Sequence, residues 1–261
     1  MPQPYRSQVL DHLGLVAGMF DELGIGAVID QATRQNTEAR LVTVGQAVKA
    51  MVLNGLGFVN QQLYLVPLFF QHKPTHRLIA PEIAAPHLND DTLGRALDTL
   101  YDYGVTELYS LMAVTAVQRL GLTPRFVHLD STSFHVDGRY NSAEEPEAHV
   151  IHITRGYSRD HRPDLNQVML DLLVEHQAGI PLLMRPLSGN TSDAHDFGEV
   201  VTAHIAQLHT AYGTNYLVAD SALYSAENLA KLAHTGSRWI TRVPATLTEA
   251  QQALAQAAPP Q

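Results

Sequence analysis

The amino-acid sequence predicts an α+β protein, in which a helical first part is followed by a second part rich in short strands. Apolar residues recur at helical spacing over most of residues 1–122. From residue 123 onwards, short runs of β-branched and other apolar residues are bounded by turn residues, and two helical patterns lie between them. We therefore predict two domains, covering residues 1–122 and 123–261.

Local signals place the helices of the first part. Thr43 and Asn89 can each cap a helix, because their side chains accept backbone N–H groups that the first turn leaves free. Gly24 and Gly121 follow periodic runs and predict helix ends. The run at residues 63–70 fits either a helix or a strand. The apolar positions expected to face the core lie at helical spacing: Val9, Leu13, Val16, Phe20, Leu23, Val44, Val48, Met51, Leu56, Leu93, Leu97 and Leu100.

The second part contains five strand-like runs, at residues 126–130, 168–174, 180–186, 215–220 and 238–244. The step Gln177-Ala178-Gly179 lies between the second and third runs and predicts a hairpin. Helical patterns cover residues 194–212 and 225–235. The predicted order is strand, strand, hairpin partner, helix, strand, helix, strand.

Composition excludes several classes of protein. The chain has no cysteine, which excludes disulfides, thiolate metal sites and cysteine nucleophiles. It shows neither a signal-peptide pattern nor a membrane-spanning run of about 20 apolar residues, so we expect a soluble, cytoplasmic protein with no membrane partner. No glycine-rich phosphate loop or dinucleotide fingerprint occurs, so we expect no nucleotide cofactor.

The net charge of −9 argues against nucleic-acid binding through bulk electrostatics. Residues 1–124 hold 8 basic and 11 acidic groups, and residues 125–261 hold 9 and 15, so neither part is basic. Any contact with DNA must come from a local patch. The best candidate comprises Arg155, Arg159, His161 and Arg162. These arginines can grip phosphates, or they can form a solvated ion-pair network with Asp164.

Two aspartates occupy matching positions. Asp130 ends the strand-like run at residues 126–130, and Asp220 ends the run at residues 215–220. Ligands bind beyond the carboxyl ends of strands in open sheets with helical crossovers, so neighbouring strands can present both carboxylates to one point. Carboxylate oxygens suit Mg²⁺, and paired metals support phosphoryl transfer. Alternatively, each aspartate is only a turn or helix-capping residue.

The residues around these aspartates resemble a known family. The resemblance lies in the blocks HLDSTSFHVDG (128–138), GYSRDHRPDLNQVMLDLLV (156–174), PLSGNTSDAHDF (186–197), YLVADSALYSAENL (216–229) and WITRVPATLTEA (239–250). Together these blocks resemble the DDE-type DNA transposases encoded by bacterial and archaeal insertion sequences. The helical first part is similar to the N-terminal domain that these proteins carry ahead of their catalytic core.

The resemblance implies an RNase-H-like catalytic core that uses Mg²⁺, with Mn²⁺ as a substitute. Asp130 matches the first catalytic aspartate of the family and Asp220 the second. The implied partners are DNA, both the ends of the element and the target, and further copies of the chain in a homo-oligomer. The implied chemistry is hydrolysis of a DNA phosphodiester, followed by strand transfer.

The third acid of the family is a glutamate within a Tyr-x2-Arg-x3-Glu-x6-Lys motif, which does not occur in this sequence. Glu227 and Glu249 follow Asp220, but neither has the required Tyr and Arg upstream. Glu249 is expected in the first turn of a final helix. We therefore expect the chain to end before the third carboxylate and, alone, to cleave DNA poorly.

Two alternatives remain open. A truncated transposase can bind DNA, or inhibit an intact copy, without catalysis. The second alternative is an unrelated metal-dependent hydrolase that uses histidines together with aspartates. The histidines that cluster in the sequence are His128, His135, His149, His152 and His161. They lack the compact spacing of a zinc site.

Overall fold

The computed structural model of the chain describes residues 7–34, 40–57, 62–138, 140, 150–157, 161–191, 204, 208–213, 216–236 and 238–256. The chain divides into two compact units, Met1–Gly121 and Leu122–Gln261. The first unit is helical and the second is built on a β-sheet. Within these described ranges, no helix is both long enough and apolar enough to cross a membrane.

The first unit is a helical assembly around one apolar core. Its α-helices are α1 (Leu13–Glu22), α2 (Ile25–Ala32), α3 (Val44–Gly55), α4 (Val66–Phe70), α5 (Thr75–Leu78), α6 (Asp90–Tyr103) and α7 (Val105–Leu120). Short 3₁₀ helices cover Leu63–Leu65 and Ala85–Leu88. The run at residues 63–70, which fits a helix or a strand from sequence, is therefore helical. Large side chains at the centre of the core include Leu13, Ile29, Leu53, Phe70 and Leu93.

The predicted capping residues begin and end these helices. Thr43 Oγ1 accepts the N–H of Gln46 at 3.1 Å, and Gln46 Oε1 accepts the N–H of Thr43 at 3.0 Å, which forms a reciprocal capping box. Asn89 Oδ1 accepts the N–H of Thr92 at 2.9 Å. Helix α7 is followed by Gly121 in the left-handed conformation, at φ +63°. Local chemistry thus sets these helix ends.

Three of the apolar positions expected in the core are exposed. Val9 is 65% exposed, Leu56 47% and Leu97 44%. Val9 and Leu56 lie outside α1 and α3. In α6 the buried stripe runs through Leu93 and Ala96, and Leu97 lies at its side because a helix buries only part of its circumference.

Helix α2 begins directly after Gly24, which has φ +68°. The sequence predicts a helix end at Gly24 but not the second helix that follows it. Helices α2 and α3 approach each other at Gly26 and Gly45, where a Cβ on Gly45 would lie 2.8 Å from the Gly26 Cα. The Gly45 N–H donates to Asp30 Oδ1 at 2.7 Å, so α2 also caps α3.

The ammonium group of Lys49 is buried in the same region. Its side chain is 4% exposed, and its Nζ lies 2.7 Å from both carboxylate oxygens of Asp21. This pairing offsets the cost of removing the Lys49 charge from water.

The second unit is organised by a five-stranded mixed sheet in the order β3-β2-β1-β4-β5. The strands are β1 (Phe126–Val136), β2 (Asn166–Glu175), β3 (Pro181–Ser188), β4 (Tyr216–Ala219) and β5 (Arg238–Thr241). Strand β2 is antiparallel to β1 and β3, whereas β4 and β5 run parallel to β1. The predicted hairpin is confirmed, since Gly179 (φ +72°) lies between the paired strands β2 and β3.

Two further helices flank the sheet. Helix α8 (Ala226–Thr235) connects β4 to β5, and Ser225 Oγ caps it by accepting the N–H of Asn228 at 3.2 Å. Helix α9 (Thr248–Gln256) follows β5. Of the helix predicted at residues 194–212, residues 208–212 are helical and most of the rest lies outside the described residues. The predicted fold class is confirmed: a helical unit precedes a mixed sheet with flanking helices.

A segment ahead of β2 is held against the ends of β2 and β3. Thr154 and Gln167 exchange backbone hydrogen bonds of 3.2 and 2.9 Å, and Gly189 donates its N–H to the His152 carbonyl at 2.9 Å. The side chain of Gln167, a residue only 1% exposed, donates to the carbonyl of Gly189 at 2.7 Å and to that of Tyr157 at 3.2 Å. Residues 150–157 are therefore anchored by a buried amide.

The carboxylate of Glu175 organises the turn between β2 and β3. It accepts the backbone N–H groups of Gln177, Ala178 and Ile180 at 2.5, 2.7 and 2.9 Å, and the residue is 1% exposed. Burial raises the pKa of Glu175, but these three donors outweigh burial and hold the pKa below its ordinary value of 4.5.

Because the pKa of Glu175 is lower in the folded state than in the unfolded chain, its stabilising contribution is present above about pH 4.5. It is lost as the pH falls through the lower, folded-state pKa. We expect Glu175→Gln to weaken the turn at pH 7 by about 1–2 kcal/mol, since a neutral amide accepts weaker hydrogen bonds. Amide hydrogen exchange at residues 177, 178 and 180, measured at pH 7 and pH 4, checks this.

The matched control is Glu249→Gln, which removes the same charge from an exposed position in α9. Faster exchange in Glu175→Gln than in the control at pH 7, with a difference that shrinks at pH 4, is the expected result. Equal exchange in both variants would show that the charge of Glu175 is unimportant to the turn.

Candidate functional site

The register of the sheet brings Asp130 and Asp220 to corresponding positions on neighbouring strands. Strands β1 and β4 run parallel, and Leu129 pairs with Ala219. Asp130 and Asp220 are the next residues on these two strands, whose axes lie about 4.8 Å apart. Leu129 and Ala219 are buried, so both aspartates lie on the opposite, more open face of the sheet. Asp220 follows the end of β4, but its backbone is still extended, at φ −72° and ψ −174°, so its side chain continues the alternation between the two faces of the sheet.

Short-range hydrogen bonds orient both aspartates. Asp130 Oδ1 accepts the N–H of Ser131 at 2.9 Å. Asp220 Oδ1 accepts the N–H of Ala222 at 2.9 Å and caps the 3₁₀ helix Ser221–Leu223. Thr241 Oγ1, at the end of β5, donates to the Asp220 carbonyl at 2.5 Å. Asp220 is therefore both a turn-capping residue, as the sequence allows, and a residue held between two parallel strands.

The surroundings of the two aspartates combine polar and apolar groups. His128 lies two residues before Asp130 on the same face of β1 and pairs with Val218 of β4. On the other side of β1, Asp130 pairs with Leu172 and His128 pairs with Val174, both of which lie in β2. These partners on β2 and β4 are only partly buried. The carboxylates therefore lie on an accessible face of the sheet, beside apolar side chains.

The donor set at this edge of the sheet suits a hard cation. Two carboxylates supply oxygen ligands of the kind that Mg²⁺ binds while it keeps several waters. Over the described parts of the chain, no group of three or more His, Cys, Asp or Glu side chains is arranged to hold a metal. The described histidines therefore form no zinc-type cage, and His149 lies outside the described residues. The arrangement fits partial ligation by Asp130 and Asp220.

The two glutamates that follow Asp220 lie on helices. Glu227 is in the first turn of α8, and its Oε1 lies 2.8 Å from Lys231 Nζ. Glu249 is in the first turn of α9, as the sequence predicts. Neither joins the two aspartates in a group of metal-ligating residues within the described part of the chain.

The structure describes two of the three arginines proposed from sequence as a phosphate patch, Arg155 and Arg162, and both lie near the carboxylate of Asp164. Arg162 donates two hydrogen bonds to Asp164, at 2.9 and 2.8 Å, so the ion pair that the sequence leaves open is present. The hydrogen bond from Arg162 lowers the pKa of Asp164 to about 2, with a smaller contribution from the charge of Arg155. Arg155 is exposed. Arg159 lies outside the described residues.

A buried polar row, which the sequence does not predict, lies on the other face of the sheet. Ser131 pairs with Asp171, and Asp171 pairs with Arg185. Asp171 is fully buried, and its Oδ2 lies 3.4 Å from Arg185 Nη2. The alternation of side chains along β2 could have indicated that Asp171 is buried, because Asp171 shares the buried face of the strand with Met169 and Leu173. The row lies directly behind Asp130 and restrains the strand that carries it.

Comparison with known proteins gives a partial match to one family. Residues 5–114, less than half of the 261-residue chain, match a family described as a domain of unknown function, DUF4277. No curated protein sequence matches the chain.

Solved structures that are similar to the chain include two transposases. The Mos1 transposase paired-end complex with the left transposon end matches 76% of this chain with 10% identity and a TM-score of 0.32. The synaptic complex of piggyBac transposase with hairpin DNA matches 92% of this chain with 11% identity and a TM-score of 0.37. This chain covers 59% of the Mos1 chain and 45% of the piggyBac chain. Likeness at this level does not assign a function, which must be argued from the site.

Proposed function

We propose that this chain carries the carboxylate pair of a DDE-type DNA transposase that acts on the ends of an insertion sequence. The reaction is hydrolysis of a DNA phosphodiester, followed by attack of the freed 3′-hydroxyl on target DNA. The proposal is supported by the parallel register of Leu129 with Ala219, which places Asp130 beside Asp220. The sequence blocks around both aspartates support it independently.

In this proposal, Asp130 and Asp220 hold Mg²⁺, for which Mn²⁺ can substitute. The ion, when bound, supplies charge stabilisation and activates an oxygen nucleophile at a phosphodiester. The chain itself positions the two carboxylates through a rigid sheet, since β1 is paired on both sides. Because both aspartates are exposed, the metal ion and a DNA backbone can reach them from solvent.

DNA contacts are proposed for Arg155 and Arg162, together with Arg159. Because Arg162 is paired with Asp164, its guanidinium must exchange a carboxylate for a phosphate on binding DNA. Arg155 is the stronger candidate of the two. The proposed oligomer of several chains would supply further contacts to the two element ends.

Mn²⁺ binding to the full chain, followed by electron paramagnetic resonance, tests the carboxylate pair. We expect the chain to bind Mn²⁺ and each of Asp130→Asn and Asp220→Asn to weaken binding at least about tenfold, because a ligand carboxylate is lost. Asp98→Asn, which removes one exposed carboxylate from α6 of the helical unit, should bind like the original chain. Equal Mn²⁺ binding by the original chain and the double Asp variant would overturn the proposal.

Nicking of supercoiled plasmid in Mg²⁺ or Mn²⁺ then separates catalysis from binding alone. Nicking that both Asp→Asn variants abolish would support catalysis by this chain, and a third acid would then be sought at Glu227 and Glu249. Mn²⁺ binding and DNA binding without nicking would favour the non-catalytic form of a transposase. Stoichiometric zinc or iron that survives dialysis would favour a hydrolase instead.

A further inference from the structure

A cavity of about 340 Å³ opens at the amino ends of the three parallel strands β1, β4 and β5. Its lining consists of Arg125, His209, Tyr216, Gly236 and Arg238. Arg125 immediately precedes β1, while Tyr216 and Arg238 are the first residues of β4 and β5. The cavity therefore lies at the edge of the sheet opposite the end that carries Asp130 and Asp220.

Strand pairing places Tyr216 and Arg238 side by side, and Arg125 lies one residue ahead of Phe126, the partner of Tyr216 on β1. The Arg125 carbonyl accepts the N–H of Tyr216 at 3.0 Å, and Tyr216 pairs with Arg238 across the parallel ladder. Tyr216 is itself fixed by stacking on Phe126, with ring centroids 4.8 Å apart and an interplanar angle of 15°. Arg238 thus lies beside an immobilised aromatic ring, and Arg125 lines the same cavity.

The guanidinium of Arg238 is oriented by Tyr216. Arg238 Nη1 donates to Tyr216 Oη at 2.7 Å, and the guanidinium lies 5.6 Å from the centre of the Tyr216 ring. One hydrogen bond to a neutral hydroxyl leaves most of the five guanidinium N–H donors available to a ligand. A pre-oriented guanidinium loses less side-chain entropy when it binds.

Neither arginine is neutralised by a carboxylate among the described residues. No described Asp or Glu forms an ion pair with Arg125 or Arg238, in contrast to Arg162, which is paired with Asp164. The cavity lining described here contains no acidic side chain. In a chain of net charge −9, two unneutralised arginines that line one cavity form a local site for an anion.

We propose that this cavity binds the phosphodiester backbone of DNA, which rests on the proposed function. A guanidinium matches phosphate oxygens with two parallel N–H donors, and Arg125 and Arg238 line one cavity, in which they can bind one phosphate or two adjacent ones. Gly236, at φ +70°, presents backbone without a side chain to the same space. His209 supplies a further ring nitrogen.

The cavity would extend the DNA contact beyond the carboxylates. Arg125 lies five residues ahead of Asp130, a separation that spans about 16 Å at the rise of a strand. That distance is roughly half a helical turn of B-DNA, whose turn is about 34 Å. We therefore infer a second backbone contact on the same DNA, or on a second DNA segment, with no role in the chemical step.

Fluorescence anisotropy of a labelled DNA duplex with the full chain, in EDTA and across a series of salt concentrations, tests this inference. Arg125→Gln and Arg238→Gln should each weaken binding about threefold to tenfold and lower the steepness of its salt dependence by about one counterion. Lys231→Gln is the matched control, because it removes one positive charge from a partly exposed, ion-paired residue of the same unit. Tyr216→Phe should weaken binding through Arg238 without any change in charge.

Salt dependences that match Lys231→Gln in both arginine variants would overturn the inference. So would saturable binding of inorganic phosphate at Arg125 and Arg238, detected by NMR, without any effect of these residues on DNA binding, since the ligand would then be a free anion. The use of EDTA separates this test from that of the carboxylates. If the Asp variants lose Mn²⁺ binding while the arginine variants bind DNA like the original chain, this inference fails and the proposed function stands.

Discussion

Gly45→Ala is expected to destabilise the helical unit by at least about 2–3 kcal/mol. A Cβ at residue 45 would lie 2.8 Å from the Cα of Gly26 and 2.9 Å from its carbonyl carbon, and it would also overlap the Gly26 carbonyl oxygen. These are backbone atoms of α2, so no side-chain rotation can relieve the overlap. Separation of α2 from α3 would also stretch the 2.7 Å hydrogen bond from Gly45 to Asp30.

The intrinsic preference of alanine for helices opposes this effect by only about 1 kcal/mol. The matched control is Gly94→Ala in α6, where a Cβ would meet nothing within 4 Å. We expect that variant to be more stable than the original chain by about 0.5–1 kcal/mol. Urea unfolding of the full chain, with amide exchange in α3 as a local readout, measures both. Stabilisation of similar size in the two variants would show that α2 and α3 are not in close backbone contact.

Gly189→Ala is expected to release residues 150–157 from the sheet, at a cost of about 2–4 kcal/mol. A Cβ at residue 189 would lie 2.5 Å from the Thr154 carbonyl oxygen and would overlap that of Gln167. Both carbonyls belong to the backbone ladder between Thr154 and Gln167, so this ladder must open. The Gln167 amide would then lose its acceptor on Gly189, and a buried amide without partners is costly.

Hydrogen exchange at the amides of Thr154 and Gln167 reports this release directly, because each donates to the other residue. Gly179→Ala is the control, since its Cβ would meet open space and only its φ of +72° is unfavourable. We expect that control to lose about 1–2 kcal/mol and to keep slow exchange at Thr154. Slow exchange at Thr154 in Gly189→Ala as well would contradict the packing described here.

The release of residues 150–157 has a functional consequence under the proposed function. This segment carries Arg155, an exposed arginine proposed to contact DNA. In Gly189→Ala, Arg155 would remain charged but would no longer be held in place. DNA binding should therefore weaken without loss of Mn²⁺ binding by the carboxylates.

Helix ends and strand positions were predictable from the sequence because their causes are local. Thr43 and Asn89 cap helices through hydrogen bonds to N–H groups three residues ahead, which the sequence already displays. The two glycines that surround α7 have positive φ values of +101° and +63°. By contrast, α2 was missed because its eight residues carry few local signals and are stabilised by packing on α3 and α7.

The candidate site shows the same division. That Asp130 and Asp220 end two apolar runs is a local fact, and so are the sequence blocks around them. They lie side by side because β4 pairs with β1, although 79 residues separate Val136 from Tyr216. The sequence does not predict this pairing, since an alternating apolar pattern does not specify which strand will be the neighbour. Ion pairs were predictable from the sequence only between near neighbours. Arg162 pairs with Asp164, two residues away, whereas Asp171 pairs with Arg185 across two strands.

Most helix ends, the strand runs, the fold class and the positions of Asp130 and Asp220 at the ends of two apolar runs thus follow from residue order, because capping, alternation and turn formation act over a few residues. Strand order, the close approach of Gly26 to Gly45 and the cavity that Arg125, Tyr216 and Arg238 line follow only from long-range packing. Burial of apolar faces is non-directional and selects partners by the total area that the folded chain removes from water. Those partners, rather than the aspartates alone, determine what the site can bind.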